Sequence, residues 1–224
     1  MKVALFGYGK MGKKIEEEAT EMGVEIVARI GRDGPSSIEE ADVCLDFSHG
    51  SCVEKHLLRA LELQKPILIG TTGWEEELEK VRDLAQKSSL PVLYAPNCSL
   101  GIILFNQMMR KVGPLMSHFP EYEVAGVEFH HNQKVDVPSG TAKMIGQTLA
   151  IPTPFASVRC GSIPGKHVVL FDSPFDTITF SHEARNRKGF ARGALTLGKW
   201  LTEQKGWVTL DDWFGSLYSS HHPV

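Results

Sequence analysis

The densest run of side chains able to do chemistry is Glu128-Phe129-His130-His131-Asn132-Gln133-Lys134-Val135-Asp136-Val137-Pro138-Ser139-Gly140-Thr141. A histidine near its unperturbed pKa holds or releases a proton at neutral pH. Lys134 adds a positive charge that stabilises an anion or, with a lowered pKa, gives up a proton. Ser139-Gly140-Thr141 starts a helix, so its backbone N–H groups and hydroxyls form a carboxylate site. A reducible anionic substrate fits all three features. Adjacent histidines on a strand point to opposite faces, so His130 and His131 do not readily share one metal. No zinc-type spacing lies nearby and His-Glu-x-x-His is absent, so no metal is expected. Ser139 lacks a G-x-S-x-G context and Cys98 has no evident base, which leaves no candidate nucleophile. The plainer alternative is a pair of hydrogen-bonded structural histidines.

A second signature opens the chain. Gly7-Tyr8-Gly9-Lys10-Met11-Gly12 follows an apolar run directly and begins a helical pattern. G-x-G-x-x-G in that context gives a tight turn, lets backbone approach a pyrophosphate and lets the helix sit close to the strand. The helix N-terminus adds unpaired N–H groups for the phosphates. A nicotinamide dinucleotide is therefore expected, against the alternative of a structural glycine turn. Where an acidic residue would take the adenosine ribose, the chain has Gly31-Arg32-Asp33. Arg32 suits adenine stacking and a 2′-phosphate, while Asp33 could still meet a ribose, so NADPH is preferred with NADH as the alternative. Gly70-Thr71-Thr72-Gly73 and Ala95-Pro96-Asn97-Cys98 each close a strand, where ligands of doubly wound sheets bind. Each could equally be a capped turn.

Stepping outward, short apolar runs at Val3–Phe6, Glu25–Ile30, Val43–Phe47, Pro66–Ile69 and Pro91–Tyr94 alternate with helical patterns at Lys10–Met22, Cys52–Leu63 and Trp74–Lys87. Val53, Leu57, Leu58 and Leu61 supply the apolar face of the middle helix. Buried strands alternating with amphipathic helices predict an α/β fold with a Rossmann-type parallel sheet. After Gly101 the pattern changes to a helix at Ile102–Val112, a strand at Glu121–His131 and a helix at Thr141–Ala150. Strands at Phe155–Arg159, Val168–Asp172 and Thr177–His182 follow, then a helix at Phe190–Glu203. That order predicts a second, α+β sheet domain. The expected division is residues 1–99 plus about 191–224 for the dinucleotide and 100–190 for the substrate, with a hinge near Asn97–Gly101.

Composition narrows the function classes. With 42% apolar and 23% charged residues, the 224-residue chain resembles an ordinary globular protein rather than a disordered one. A net charge of −3 does not favour nucleic acid or an anionic membrane. The uncharged stretch Ser88–Met109 is broken by Pro91, Pro96, Asn97, Asn106 and Gln107, so it reads as strand, loop and helix rather than a membrane span. The apolar run after the first lysine stops at Gly7, too early for a secretory core. Cys44, Cys52, Cys98 and Cys160 show no C-x-x-C pairing. A soluble, cytoplasmic protein with reduced thiols is expected.

These motifs resemble the 4-hydroxy-tetrahydrodipicolinate (dihydrodipicolinate) reductases. The resemblance rests on Gly7–Gly12, Asp46-Phe47-Ser48, Gly70–Gly73, Ala95–Ser99 and Glu128–Thr141, followed by Gly165-Lys166-His167 and Ser181-His182-Glu183-Ala184-Arg185. It is collinear over most of the chain. It implies NAD(P)H-dependent reduction of 4-hydroxy-tetrahydrodipicolinate with loss of water, in lysine and diaminopimelate biosynthesis. It further implies that His130 is the acid/base, Lys134 a proton donor, and His131, Ser139, Gly140 and Thr141 substrate ligands. Gly7, Tyr8, Gly9, Lys10, Met11, Gly12, Arg32, Gly70, Thr71, Thr72, Ala95, Pro96, Asn97 and Cys98 fall on cofactor positions, and a homotetramer built through the second sheet is implied. The chain departs from many relatives at Gly31, where they carry an acidic residue, and in a shorter segment between Ala150 and Ser157. The competing readings are another Rossmann-type dehydrogenase, which has no reason to carry the His130–Thr141 cluster, and a non-catalytic NADPH sensor, which could dispense with His130 and Lys134.

Overall fold

The structure, a computed structural model, describes residues 1–31 and 37–219. The expected cofactor residue Arg32 and its neighbour Asp33 lie outside the described residues. The chain forms two compact units, Met1–Ser99 with Lys188–Val224, and Leu100–Arg187.

The first unit begins β1 (Lys2–Phe6), α1 (Lys10–Glu21), β2 (Glu25–Ile30), β3 (Val43–Asp46), α2 (Val53–Glu62), β4 (Ile67–Ile69), α3 (Leu78–Ser88) and β5 (Val92–Tyr94). Residues 3–6, 43–46 and 67–69 are wholly buried, as a parallel sheet covered on both faces requires. In α2 the buried stripe is Val53, Leu57 and Ala60, while Leu58 is exposed. The expected face was therefore too wide by one residue: a stripe continuing from Val53 and Leu57 reaches Ala60, and Leu58 sits about 100° away from Leu57. Both α2 and α3 are entered through a single 3₁₀ turn, at Gly50–Cys52 and Glu75–Glu77.

The second unit comprises α4 (Leu100–Met116), β6 (Glu123–His130), α5 (Gly140–Leu149), β7 (Phe155–Arg159), β8 (Lys166–Asp172) and β9 (Thr177–Glu183). Its sheet has the order β7-β6-β8-β9, with β6 and β7 parallel across the α5 crossover and the remaining pairs antiparallel. Along β6, Gly126, Glu128 and His130 are buried in strict alternation, so the strand pleat delivers a carboxylate and an imidazole to one face. The register sets Glu128 opposite Ser157 on one side and His167 on the other. Phe105 and Met109 of α4, Ile145 and Leu149 of α5, and Val169 and Phe171 of β8 form the core. Helix α4 continues four residues past the expected end at Val112, with Pro114 inside its last turn.

The chain then returns to the first unit through α6 (Lys188–Leu201), β10 (Trp207–Val208) and α7 (Leu210–Ser219). Strand β10, not expected from the sequence, completes a wholly parallel sheet of order β10-β5-β4-β3-β1-β2. Glu18 of α1 is buried and paired with Lys188 and Arg192 of α6 at 3.0 and 3.1 Å, which locks the returning helix in register. No helix among the described residues is long and apolar enough to cross a membrane.

One glycine controls helix packing in the second unit. A Cβ on Gly113 would lie 2.0 Å from the carbonyl oxygen of Leu149, so α4 and α5 approach backbone to backbone. Gly113→Ala must push the helices apart, and we expect a loss of about 1–3 kcal/mol. Thermal melting checks this: an unchanged Tm would mean that the two helices separate without cost.

Candidate active site

In the first unit the glycine motif leaves β1 and enters α1. Gly7 has φ +89°, and a Cβ there would sit 2.4 Å from the Phe47 carbonyl oxygen. A Cβ on Gly12 would sit 2.4 Å from the carbonyl oxygen of Gly7, so the turn itself needs both glycines. Gly9 differs, because its Cβ would meet nothing within 4 Å among the described residues. It heads α1, whose start has no side-chain cap and no acidic residue in the first turn. The free N–H groups and open approach fit a dinucleotide pyrophosphate. Lys10, exposed, and Met11 form the first helical positions. The Tyr8 hydroxyl donates to Glu16, which also accepts from Arg29, and the Arg29 guanidinium lies 5.9 Å over the Tyr8 ring.

The loops after β3, β4 and β5 sit at the carboxyl ends of the same parallel strands. Those after β3 and β4 are held by Asp46, a fully buried carboxylate with no role expected from the sequence. Its Oδ1 accepts from the Ser48 hydroxyl at 2.6 Å, the Thr71 hydroxyl at 2.8 Å and the Ser48 N–H at 2.9 Å. Its Oδ2 lies 2.8 Å from Nδ1 of His56, whose ring stacks on Phe6. The Thr71 hydroxyl is thus engaged within the protein, while Thr72 is exposed. Gly70 leaves space filled by the Phe47 ring, which a Cβ would reach at 2.3 Å. Beyond β5, Ala95 is buried, Pro96 is exposed and the Asn97 side-chain oxygen accepts from the Ser99 N–H. Cys98 is buried, and burial pushes its thiol up to about 12, so it is chemically quiet.

In the second unit a single carboxylate again gathers the predicted residues. Glu128 has no solvent exposure. Its Oε1 accepts from the Ser157 hydroxyl at 2.6 Å, the Ser139 N–H at 2.9 Å and Arg159 Nη2 at 3.0 Å. Its Oε2 lies 3.1 Å from His130 Nδ1 and 3.8 Å from His167 Nε2. Burial alone would raise its pKa, but the bonds from Ser139, Ser157 and Arg159 outweigh that and pull it to about 2. His130 is held below the ordinary histidine value, first by burial and then by Lys134 and Arg159, against the raising effects of Glu128 and Asp136. Burial and the neighbouring His130 take His167 down to about 4, which keeps it neutral at physiological pH. The His130 and His167 rings meet edge to face with centroids 5.2 Å apart. His131, the next residue beyond β6, is only partly buried.

The loop from His131 to Ser139 is strapped by Arg159, which donates to the carbonyls of Lys134 and Asp136. Ser139 caps α5 by accepting from the Ala142 N–H at 3.1 Å. Gly140 is exposed at the helix start, and Thr141 follows it. Asp136 holds the Lys134 ammonium at 2.7 Å with one oxygen and accepts from the Gly140 N–H at 3.2 Å with the other. Lys134, expected to stabilise an anion or give up a proton, and the Gly140 N–H, expected to meet a substrate carboxylate, thus already share one carboxylate. Arg159 and His167 were missed because their connection to His130 runs across strand register. Glu128 had a visible signal in its two-residue spacing from His130. Glu128, His130 and His167 offer ligand atoms within 4.8 Å of one another, a convergence not expected from the sequence. Arg159 already supplies the positive charge on this carboxylate, which suits a proton-handling network better than a cation cage.

Both halves of the chain match one family description: residues 1–98 match the dihydrodipicolinate reductase N-terminus and residues 101–214 its C-terminus. The chain belongs to the dihydrodipicolinate reductase family. A 4-hydroxy-tetrahydrodipicolinate reductase of Christiangramia forsetii is 31% identical, over 98% of this chain and 100% of the relative. Another of that name, from Zymomonas mobilis, is 32% identical over 96% of this chain and 97% of its own. Among solved structures, a dipicolinate-bound dihydrodipicolinate reductase from Paenisporosarcina sp. TG-14 aligns with a TM-score of 0.78 and 26% identity, covering 93% of this chain and 97% of that one. An amine dehydrogenase from Mycobacterium smegmatis shares the fold, with a TM-score of 0.60 and 10% identity over 94% of this chain and 95% of that one.

The glycine geometry separates stability from binding. Gly9→Ala should cost under about 1 kcal/mol, since its Cβ meets nothing within 4 Å among the described residues. The same change should weaken dinucleotide binding at least tenfold in a fluorescence titration. Gly7→Ala should instead lower Tm, through its positive φ and the clash with Phe47. Equal thermal losses for the two variants would contradict this division.

Proposed function

We propose that the chain is an NAD(P)H-dependent 4-hydroxy-tetrahydrodipicolinate reductase of lysine and diaminopimelate biosynthesis. The observation that carries this reading is the tethering of His130 and the Ser139 turn to one buried carboxylate, in a chain that matches the family over both halves. Net reaction takes up one hydride and one proton and releases the ring hydroxyl as water. The reduced nicotinamide supplies the hydride when bound. Gly7–Gly12, Gly70–Thr72 and Ala95–Cys98 would hold it, in keeping with the uncapped start of α1 and the open approach at Gly9.

The remaining work falls to the second unit. The Gly140 N–H and the Thr141 hydroxyl grip one substrate carboxylate at the start of α5, with Ser139 setting that turn and His131 adding a further contact. Lys134 leaves Asp136 for the incoming anion and offsets charge that develops on the ring. His130 delivers the proton. NADPH is the preferred cofactor on the strength of Arg32 after β2 and of Gly31 in place of an acidic ribose ligand. A homotetramer is supported by the face of the second sheet opposite its core, where Val158 is exposed and Val127, Phe129, Val168 and Leu170 are only partly buried. The cysteines Cys44, Cys52, Cys98 and Cys160 are free thiols, in keeping with a cytoplasmic setting.

The test is oxidation of NADPH and NADH at 340 nm with freshly generated hydroxy-tetrahydrodipicolinate. We expect substrate-dependent oxidation of both, with the higher kcat/KM for NADPH. His130→Gln should lower kcat by about 10²–10³-fold with KM changed only a few-fold. Absence of turnover by a folded, NADPH-binding protein would overturn the reading, and an unchanged kcat would remove His130 from the acid role. Light scattering in solution tests the assembly, for which we expect four chains.

A further inference from the structure

The carboxylate beside His130 does more than satisfy a loop. Glu128 Oε1 is saturated by Ser139, Ser157 and Arg159, whereas Oε2 has no aligned hydrogen-bond donor among the described residues. The nearest group to it is His130 Nδ1 at 3.1 Å, an ion-pair distance between two atoms buried from solvent. A proton on Nδ1 is attracted to that oxygen, whereas a lone pair there would face it and be repelled. On the opposite edge of the ring, Nε2 faces Gly165, where a Cβ would come within 3.1 Å. Gly165 has φ +152° and no side chain, so no Cβ crowds Nε2. Resting on the reductase reading above, we infer that Glu128 is a positioning residue: it keeps a proton on Nδ1 of His130, so that the proton exchanged with substrate is the one on Nε2.

The surroundings leave this task to Glu128. Around His130 stand Glu128 from its own strand, Lys134 and Asp136 from the following loop, Arg159 from β7 and His167 from β8. Lys134 and Arg159 are cations and oppose protonation of the ring. Asp136 is exposed and occupied by Lys134 and Gly140. His167 is neutral and turns Nε2 toward the Ser139 hydroxyl at 3.4 Å. Glu128 is the larger of the two effects that raise the proton affinity of His130, and it is the one that is fully buried. Because the same side chain accepts from the Ser139 N–H, it ties the acid and the carboxylate turn to one anchor.

Glu128→Gln makes the inference testable. The amide keeps an oxygen for Ser139 and Ser157 but presents an N–H to His130 Nδ1, which shifts the ring proton to Nε2. We expect kcat to fall about 10²–10⁴-fold, by analogy with other histidines held in the wrong tautomer, with a smaller change in substrate KM. The sign of the pH effect follows from the charge. A group acting as acid loses activity as pH rises through its pKa, and the lost carboxylate lowers that pKa, so the alkaline limb of the kcat profile should move to lower pH. In parallel, ¹⁵N-histidine NMR of the wild-type protein reads the tautomer directly, with the His130 signals assigned by their loss in His130→Gln. Nδ1–H in the wild type and Nε2–H in Glu128→Gln support the inference. Nε2–H in the wild type, or an unmoved kcat and pH limb in a folded Glu128→Gln, would overturn it. If Glu128→Gln does not fold, the wild-type tautomer alone decides. If the wild type binds NADPH but does not turn over, the reductase reading fails, and the tautomers still show whether Glu128 controls the ring.

Discussion

A carboxylate taken out of water must recover its hydrogen bonds inside the protein, and both candidate sites here are arranged around that requirement. An unpaired buried carboxylate costs several kcal/mol. Each bond from a well-aligned donor to a charged group returns about 1.5–3 kcal/mol. Asp46 and Glu128 each collect several such donors from separate segments of chain. Because no single segment can satisfy either side chain, the loops are held to one another. The Ser48 and Thr71 loops take their positions from Asp46, and the Ser139 turn takes its position from Glu128.

The two carboxylates are used differently. Both oxygens of Asp46 are met by side chains of its own unit, including His56, which stacks on Phe6 behind it. That arrangement is a brace for the loops after β3 and β4. Glu128 splits its task between one oxygen that fastens β7 and the α5 cap and another that faces two imidazoles. Asp136, by contrast, is exposed and holds Lys134 and the Gly140 N–H by two contacts. Buried carboxylates thus maintain the frame, whereas the exposed one holds Lys134 and the Gly140 N–H at the protein surface.

Much of this was legible in the residues. Apolar runs such as Val3–Phe6 mark the strands, and Gly7–Gly12 marks the turn because its glycines answer to local sterics. The histidine and lysine cluster is equally local. What escaped reading depends on tertiary pairing. His167 reaches His130 only through the antiparallel register of β6 and β8, and Arg159 reaches Glu128 only through the parallel register of β6 and β7. Asp46 ends an apolar run and looks like the start of a loop. Its importance comes from Thr71 and His56, which lie on other elements. Strand β10 is two residues long and has no periodicity to detect, since its pairing with β5 alone defines it.

The order of the chain has a further consequence. Residues 100–187 form one uninterrupted stretch, whereas the parallel-sheet unit is split around it and lacks α6 and β10 until the final part of the chain appears. During synthesis the later-encoded sheet can therefore close before the earlier-encoded one is complete. Until Lys188 and Arg192 emerge, the buried Glu18 has neither of its α6 cations, and β5 remains an open edge. The nascent parallel-sheet unit is thus the segment most exposed to misassociation during synthesis, and its completion waits on residues 188–208.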